Sequence, residues 1–336
     1  MRRHTALLSL TLAALPLVPG CATEATAPDD AVTFEGLTEA DLEGQAKAAL
    51  ARADRDGTDY EPGEGGADPS TADVEPAAVD PSPIRPASIS SAEIERALGA
   101  GTWGYVFRVT SNGRSSELLA SGNATRSMYG ASTFKVPTGF TAFAHGNVAP
   151  ATLTYMLRTS NNALANFTMC KNGETLGRYQ AQCAAREYAP ATMRMGDATR
   201  ETTAWLRREG ADLSPSFVMK DGSGLLPQDR TTPADLVEVL MVARSHERYR
   251  DFREMLAQPG KPSTLRARFA GFEGRLFAKT GTYPRTGNGV KALAGYVELG
   301  GGRTLVFAVL GNGVGPVSPA MGRIEKAVRL VVASSS

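Results

Sequence analysis

Histidine is almost missing from this chain. Of 336 residues only three are histidines: His4 lies in the first few positions, and His145 and His246 stand in no metal-ligand spacing. Nothing here supports a histidine-held metal site, and a Ser-His-Asp nucleophile would lack a good source for its base. No Gly-x-Ser-x-Gly elbow occurs either. No metal and no cofactor are therefore expected. Cysteine is equally scarce, with Cys21, Cys170 and Cys183. The apolar run from Thr5 to Val18 is too short for a permanent membrane span. Lysines and arginines are dispersed and not interleaved with aromatics in a stripe, so nucleic acid is not an expected partner.

Charge is unevenly divided along the chain. The formal net charge is +1, but Ala22–Ser88 holds 16 acidic against 4 basic residues, and Ile89 to the end 19 against 30. An acidic tether leads into a basic domain, whose field suits an anionic surface or a carboxylate-bearing substrate. The composition of residues 21–88, rich in Ala, Asp, Glu, Pro and Gly, buries too little apolar surface to order itself, and it reads as a disordered linker. A fragile helix is expected within it from Leu37 to Arg55. Residues 1–20 read as a signal peptide with a short basic start. It ends Leu17-Val18-Pro19-Gly20-Cys21, similar to a bacterial lipobox in which Cys21 is lipidated and anchors the chain to a membrane. The alternative is an ordinary signal peptide that ends near a cysteine. Cys170 and Cys183 then remain as a disulfide candidate in an exported protein, worth about 3 kcal/mol in the chain-entropy model.

From residue 89 the texture is that of a folded domain, 89–336. Ser90 or Ser91 caps a helix ending at Leu98. Trp103, Tyr105, Phe107 and Val109 alternate along a strand from Thr102 to Thr110, and Asn112-Gly113 turns it towards a second strand, Glu117–Ala120. Helices follow over Phe134–His145, Pro150–Arg158, from near Ala163, over Thr199–Arg208, and over Ala234–Ala243 behind a Thr232 cap. Leu276–Thr280, Ala292–Leu299 and Thr304–Leu310 read as strands, and Pro319–Val332 as a closing helix. Strands at both ends with helices between imply one sheet assembled from distant parts of the chain.

Three short motifs carry chemistry. Ser132 and Lys135 stand three apart at a helix start, hence on one face. Such a lysine activates a serine hydroxyl if its own pKa is lowered. Ser160-Asn161-Asn162 lies in a loop between helices, and Lys279-Thr280-Gly281 ends a strand. Ser-x-x-Lys and Ser-x-Asn arise readily by chance; the Lys-Thr-Gly carries most of the weight. In the roles these residues suit, Ser132 attacks a carbonyl, Lys135 takes its proton, and Ser160 relays the proton to the leaving amine. Asn162 donates to a substrate amide carbonyl. Lys279 lowers the neighbouring amine pKa and, with Thr280, attracts a substrate carboxylate, while Gly281 permits close approach. Backbone N–H groups of Ser132 and Thr282 suit an oxyanion.

This set resembles the serine penicillin-recognising enzymes, and within them the D-alanyl-D-alanine carboxypeptidase/endopeptidase family of low-molecular-mass class C penicillin-binding proteins. Lys220-Asp221-Gly222-Ser223-Gly224-Leu225, Arg230–Leu236 and Gly260–Arg268 ahead of Lys279 add to the likeness, which covers about Ile89 to Val332. The resemblance implies an α+β, β-lactamase/transpeptidase-like fold, an antiparallel sheet flanked by helices with a helical subdomain. It also implies an acyl-serine carboxypeptidase acting on peptidoglycan stem peptides, bound by β-lactams, on the periplasmic face of the envelope. Asp221 and Ser223 would hold the pocket; read alone, Asp221–Gly224 is a tight turn. Phe134, Tyr283 and Tyr296 read as packing.

The chain departs from the family pattern in three ways. Only 24 residues separate Lys135 from Ser160, so the family's inserted domains are absent. Asn161 stands where Asp is frequent. No Glu stands where a class A β-lactamase places its deacylating carboxylate, Glu174 and Glu187 reading as solvated helix residues. A serine β-lactamase and a non-catalytic wall-binding lipoprotein are the alternative readings.

Overall fold

The two ends of the folded region meet in one antiparallel sheet. The computed structural model describes residues 37–56, 89–111, 115–188, 190–283 and 289–335. In chain order these form α1 (Glu39–Asp56), α2 (Ser91–Leu98), β1 (Thr102–Ser111) and β2 (Ser115–Gly122). A 3₁₀ turn, Ala131–Phe134, runs into α3 (Lys135–His145), followed by α4 (Pro150–Thr159), α5 (Asn162–Gly177) and α6 (Met195–Arg208). Then come α7 (Pro233–Ser245), α8 (Tyr249–Glu254), β3 (Leu276–Tyr283), β4 (Val290–Gly300), β5 (Arg303–Asn312) and α9 (Val317–Ser334). The strand order is β2-β1-β5-β4-β3, all antiparallel. The expected single sheet from distant strands is what forms.

Period-two alternation sorts the side chains between two cores. Tyr105, Phe107 and Val109 of β1, with Leu305, Phe307 and Val309 of β5, pack under α2 and α9. The intervening Val106, Val306, Ala308 and Leu310 face the other way, into a core shared with α3 to α8. The sheet is therefore covered on both faces, which is why β5 is a nearly unbroken apolar run. Each large side chain buried this way contributes about 1.5–3 kcal/mol. Thr232 caps α7 with a full capping box, as does Ser90 for α2.

The linker reading needs correction at one place. The helix anticipated from Leu37 to Arg55 is α1, and it is packed, not free: Leu42, Ala46 and Ala49 are buried in the same core as α4. The spacing i, i+4, i+7 gives the helix one apolar stripe, while Glu39 and Asp41 in its first turn are exposed. Residues 1–36, which include Cys21 and the start of the linker, the linker from 57 to 88, and the Asn112-Gly113 turn lie outside the described residues. Among the described residues, no helix is long and apolar enough to cross a membrane.

Candidate functional site

The site assembles where the open edge of β3 meets the start of α3. Ser132 sits in the 3₁₀ turn and Lys135 opens α3. Ala131, just before the serine, has φ 45°, a strained value of the kind found where surrounding structure fixes a functional side chain. Lys135 is fully buried, and its Nζ lies 2.8 Å from Ser132 Oγ, 2.8 Å from Asn162 Oδ1 and 3.0 Å from the Ser223 carbonyl. Burial lowers its pKa to about 7, against the opposing pull of Asp221 and Asp229. A neutral Lys135 can donate its two hydrogens to Asn162 and Ser223 and turn its lone pair to the Ser132 hydroxyl.

The middle motif spans a helix-to-helix corner. Ser160 closes α4 in the left-handed region at φ 62°. Asn161 then caps α5, its side chain accepting from the Leu164 N–H at 2.8 Å. Asn and Asp cap equally well, so Asn161 in place of the frequent Asp leaves this corner intact. Asn162 presents its oxygen to Lys135, which leaves its NH₂ as the free-facing donor end.

The third motif closes the set from the sheet. Lys279 is buried, and its Nζ donates to Ser160 Oγ at 2.8 Å and to the Thr280 carbonyl at 2.9 Å. Burial, then repulsion from Lys135 and from Lys291, pushes its pKa well below the usual lysine range. The repulsion between Lys279 and Lys135 is mutual and falls on whichever amine is second to hold a proton. Gly281 faces the turn so closely that a Cβ there would lie 2.6 Å from the Gly130 carbonyl oxygen. Thr280 Oγ1 donates to Thr264 Oγ1 at 2.9 Å, and Thr282 Oγ1 accepts from Lys291 Nζ at 2.9 Å.

Beneath Lys135 lies the Asp221–Gly224 loop. Asp221 Oδ1 accepts from the Ser223 and Gly224 N–H groups at 2.8 and 2.7 Å, and Oδ2 accepts from the Ser223 hydroxyl at 2.9 Å. This is the tight turn that the residues alone suggest, and its Ser223 carbonyl is what touches the lysine. Gly222 and Gly224 are both required by contact: added Cβ atoms would lie 2.2 Å from the Ala165 oxygen and 2.0 Å from the Ala131 oxygen.

A family model for the D-Ala-D-Ala carboxypeptidase 3 (S13) family matches residues 150–332, more than half of the chain. The chain belongs to this family. Carboxypeptidase DacB of Mycolicibacterium smegmatis is 31% identical over 188 residues, which are 53% of this chain and 37% of that protein. The chain thus matches well under half of this relative's length. Among solved structures, a β-lactamase from Chitinophaga pinensis superposes with a TM-score of 0.54 at 13% identity, covering 73% of this chain and 98% of the other. A class A β-lactamase representative from Bacteroides cellulosilyticus gives 0.53 at 16%, covering 72% and 95%. At such identity the likeness shows the fold, and it is the α+β, β-lactamase-like fold expected above.

In this S13 chain all ten motif-derived positions, Ser132, Lys135, Ser160, Asn162, Asp221, Ser223, Lys279, Thr280, Gly281 and Thr282, lie in this one region. Cys170 and Cys183 are bonded, with Cα atoms 5.5 Å apart, tying α5 to the segment that follows it. Phe134 packs on Phe217, and the Tyr296 hydroxyl donates to the Leu240 carbonyl at 2.8 Å, so both serve packing; Tyr283 is half-buried at the end of β3. Glu174 pairs with Lys171 at 3.0 Å and accepts from the Ala181 N–H. Glu187 is exposed in an irregular segment, not a helix. Thr264, Lys291 and Asp229 were not singled out from the sequence. The first two touch the third motif, and Asp229, fully buried, carries a pKa raised by burial and by Asp221.

Proposed function

We propose that this chain is a serine-type D-Ala-D-Ala carboxypeptidase that cleaves peptidoglycan stem peptides through an acyl-enzyme on Ser132, and that β-lactams acylate the same serine. The observation that carries this reading is the 2.8 Å contact between Lys135 Nζ and Ser132 Oγ, made by a buried amine whose pKa is about 7. Near neutral pH such an amine has an appreciable deprotonated fraction and is matched to its task as a general base.

In the reaction, neutral Lys135 takes the Ser132 proton as Oγ attacks the penultimate D-alanine carbonyl. The tetrahedral oxyanion is held by the Ser132 and Thr282 N–H groups. Ser160, bonded to Lys279, passes a proton to the leaving D-alanine amine. Asn162 donates its NH₂ to the substrate backbone. Lys279 and Thr280 receive the terminal carboxylate, whose arrival favours the protonated form of Lys279. Gly281 lets the substrate lie along the β3 edge. Asp221 and Ser223 keep the acceptor carbonyl under Lys135. Water then releases the acyl group. The same bond chemistry serves endopeptidase cleavage next to a D-alanine.

The chain is further proposed to work at the periplasmic face of the cell envelope, exported by residues 1–20 and anchored by lipid on Cys21. The test is incubation with a fluorescent penicillin beside Ser132→Ala. Stable label that depends on Ser132 supports the peptidase. Rapid loss of label with drug turnover favours a β-lactamase, whose fold this chain shares. Absence of label supports a wall-binding protein without catalysis.

A further inference from the structure

The backbone that leads into the nucleophile turn is held by a side chain outside the three motifs. Asn312 is the last residue of β5, and its amide meets the backbone of Tyr129, 183 positions away. Its Oδ1 accepts from the Tyr129 N–H at 2.9 Å, and its Nδ2 donates to the Tyr129 carbonyl at 3.1 Å. A neighbouring antiparallel strand exchanges the same two bonds with one residue. Here an amide, which carries a donor and an acceptor side by side, takes the place of that strand.

The residues on either side of Tyr129 are fixed as well. Met128 pairs with Thr231 through N–H to carbonyl bonds of 2.8 and 3.0 Å in the two directions. The Gly130 carbonyl accepts from the Thr133 hydroxyl at 2.6 Å and from the Thr133 N–H at 3.2 Å. Between these anchors and α3, Ala131 keeps its left-handed φ of 45°, a conformation that persists only where the surroundings over-determine it.

The same clamp reaches across the cleft. Gly130 is the residue that Gly281 of β3 packs against, as the 2.6 Å approach of an added Cβ to the Gly130 oxygen shows. Asn312 is the cross-strand partner of Val290 on β4, and Val290 is that of Tyr283 on β3. Asn312 is therefore tied to both pieces of backbone that carry the proposed oxyanion donors. Its amide holds the segment just before Ser132, and its strand register leads to the residue just after Thr282. Donors aimed at a developing charge are effective only when their positions are set in advance.

We propose that Asn312 is a positioning residue for the oxyanion: its amide fixes the nucleophile turn against β3, so that the Ser132 and Thr282 N–H groups converge on one oxygen. This rests on the acyl-serine reading above, and it assigns part of the rate to a residue that no motif contains.

The test compares the full chain as wild type, Asn312→Ala and Asn312→Asp with two probes. Benzylpenicillin resolves the noncovalent Kd from the acylation rate constant. A peptide boronic acid forms a bond from Ser132 Oγ to boron and becomes a tetrahedral anion that needs the same N–H donors. Asn312→Asp keeps the shape of the side chain and the bond from the Tyr129 N–H but loses the donor, so it carries the test if Asn312→Ala does not fold. Both variants are expected to lose about 10- to 100-fold in acylation rate constant and a similar factor in boronate affinity, with the noncovalent Kd within about threefold of wild type. The acid-side inflection of acylation against pH stays at its wild-type position, because α3 and not the clamp builds the Lys135–Ser132 contact. Acylation within about threefold of wild type in Asn312→Asp overturns the assignment. So does slowed acylation with unchanged boronate affinity, or with a displaced inflection. A wild type that forms no adduct with either probe overturns the acyl-serine reading and this assignment with it, whereas a labelled wild type with an equally fast Asn312→Asp overturns the assignment alone.

Discussion

Lys279 Nζ donates to Ser160 Oγ at 2.8 Å across 119 positions of sequence. This contact joins the edge strand of the sheet to the corner between α4 and α5, and so joins two motifs that neither segment explains by itself. If Ser160 is the proton relay, Ser160→Ala should slow acylation by about 10²- to 10⁴-fold, the usual worth of a positioned acid-base group. Stopped-flow acylation by a chromogenic penicillin measures this. A loss smaller than about tenfold would remove Ser160 from the proton path.

The pH dependence follows from Lys135. Its pKa is lowered to about 7, so below that pH the amine is protonated and has no lone pair for the Ser132 proton. The acylation rate should rise about tenfold per pH unit on the acid side and level off above about 7. Lys135→Met should abolish the pH-dependent rise together with most of the rate. A profile of acylation rate against pH that shows no inflection between about 6 and 8 would contradict the assignment of Lys135 as base.

Glycine is required at the β3 edge by space. Gly281→Ala places a Cβ 2.6 Å from the Gly130 oxygen, so the strand and the nucleophile turn must move apart. Acylation should fall by more than about tenfold with far-ultraviolet circular dichroism unchanged, since a displacement of about 1 Å at a reacting centre costs about 100-fold. Gly224→Ala combines a clash at 2.0 Å with a left-handed φ of 77° and should lower stability by about 1–3 kcal/mol or more in chemical denaturation.

The Cys170–Cys183 bond closes a short loop. Replacing both cysteines by serine should lower stability by about 3 kcal/mol, and the reductant sensitivity of the wild type should vanish in the variant. Equal denaturation midpoints for both proteins would show that the bond contributes nothing to the folded state.

The strands, most helices and the three motifs were legible because each is written in a local signal: alternation in β1, capping residues at Ser90 and Thr232, and fixed short spacings in the motifs. What escaped the sequence is long-range or short-lived. Lys291 meets Thr282 only through the β3–β4 register, and Thr264 meets Thr280 only after an irregular segment folds back. Asp229 exerts its pull on Lys135 from a loop whose path no periodicity records. The six residues of α8 are too few to show a helical period. The packing of α1 was hidden for another reason: its apolar stripe of Leu42, Ala46 and Ala49 is diluted when composition is averaged over an acidic tether.

The central claim is that Ser132 is the nucleophile, activated by Lys135. Mass analysis of the peptide that contains Ser132, after incubation of the whole chain with benzylpenicillin, tests it most directly. A mass increase equal to one intact penicilloyl group, located on Ser132 and absent in Lys135→Met and Ser132→Ala, is the predicted result. An unmodified Ser132 peptide at saturating drug, or an adduct on another residue, would contradict it.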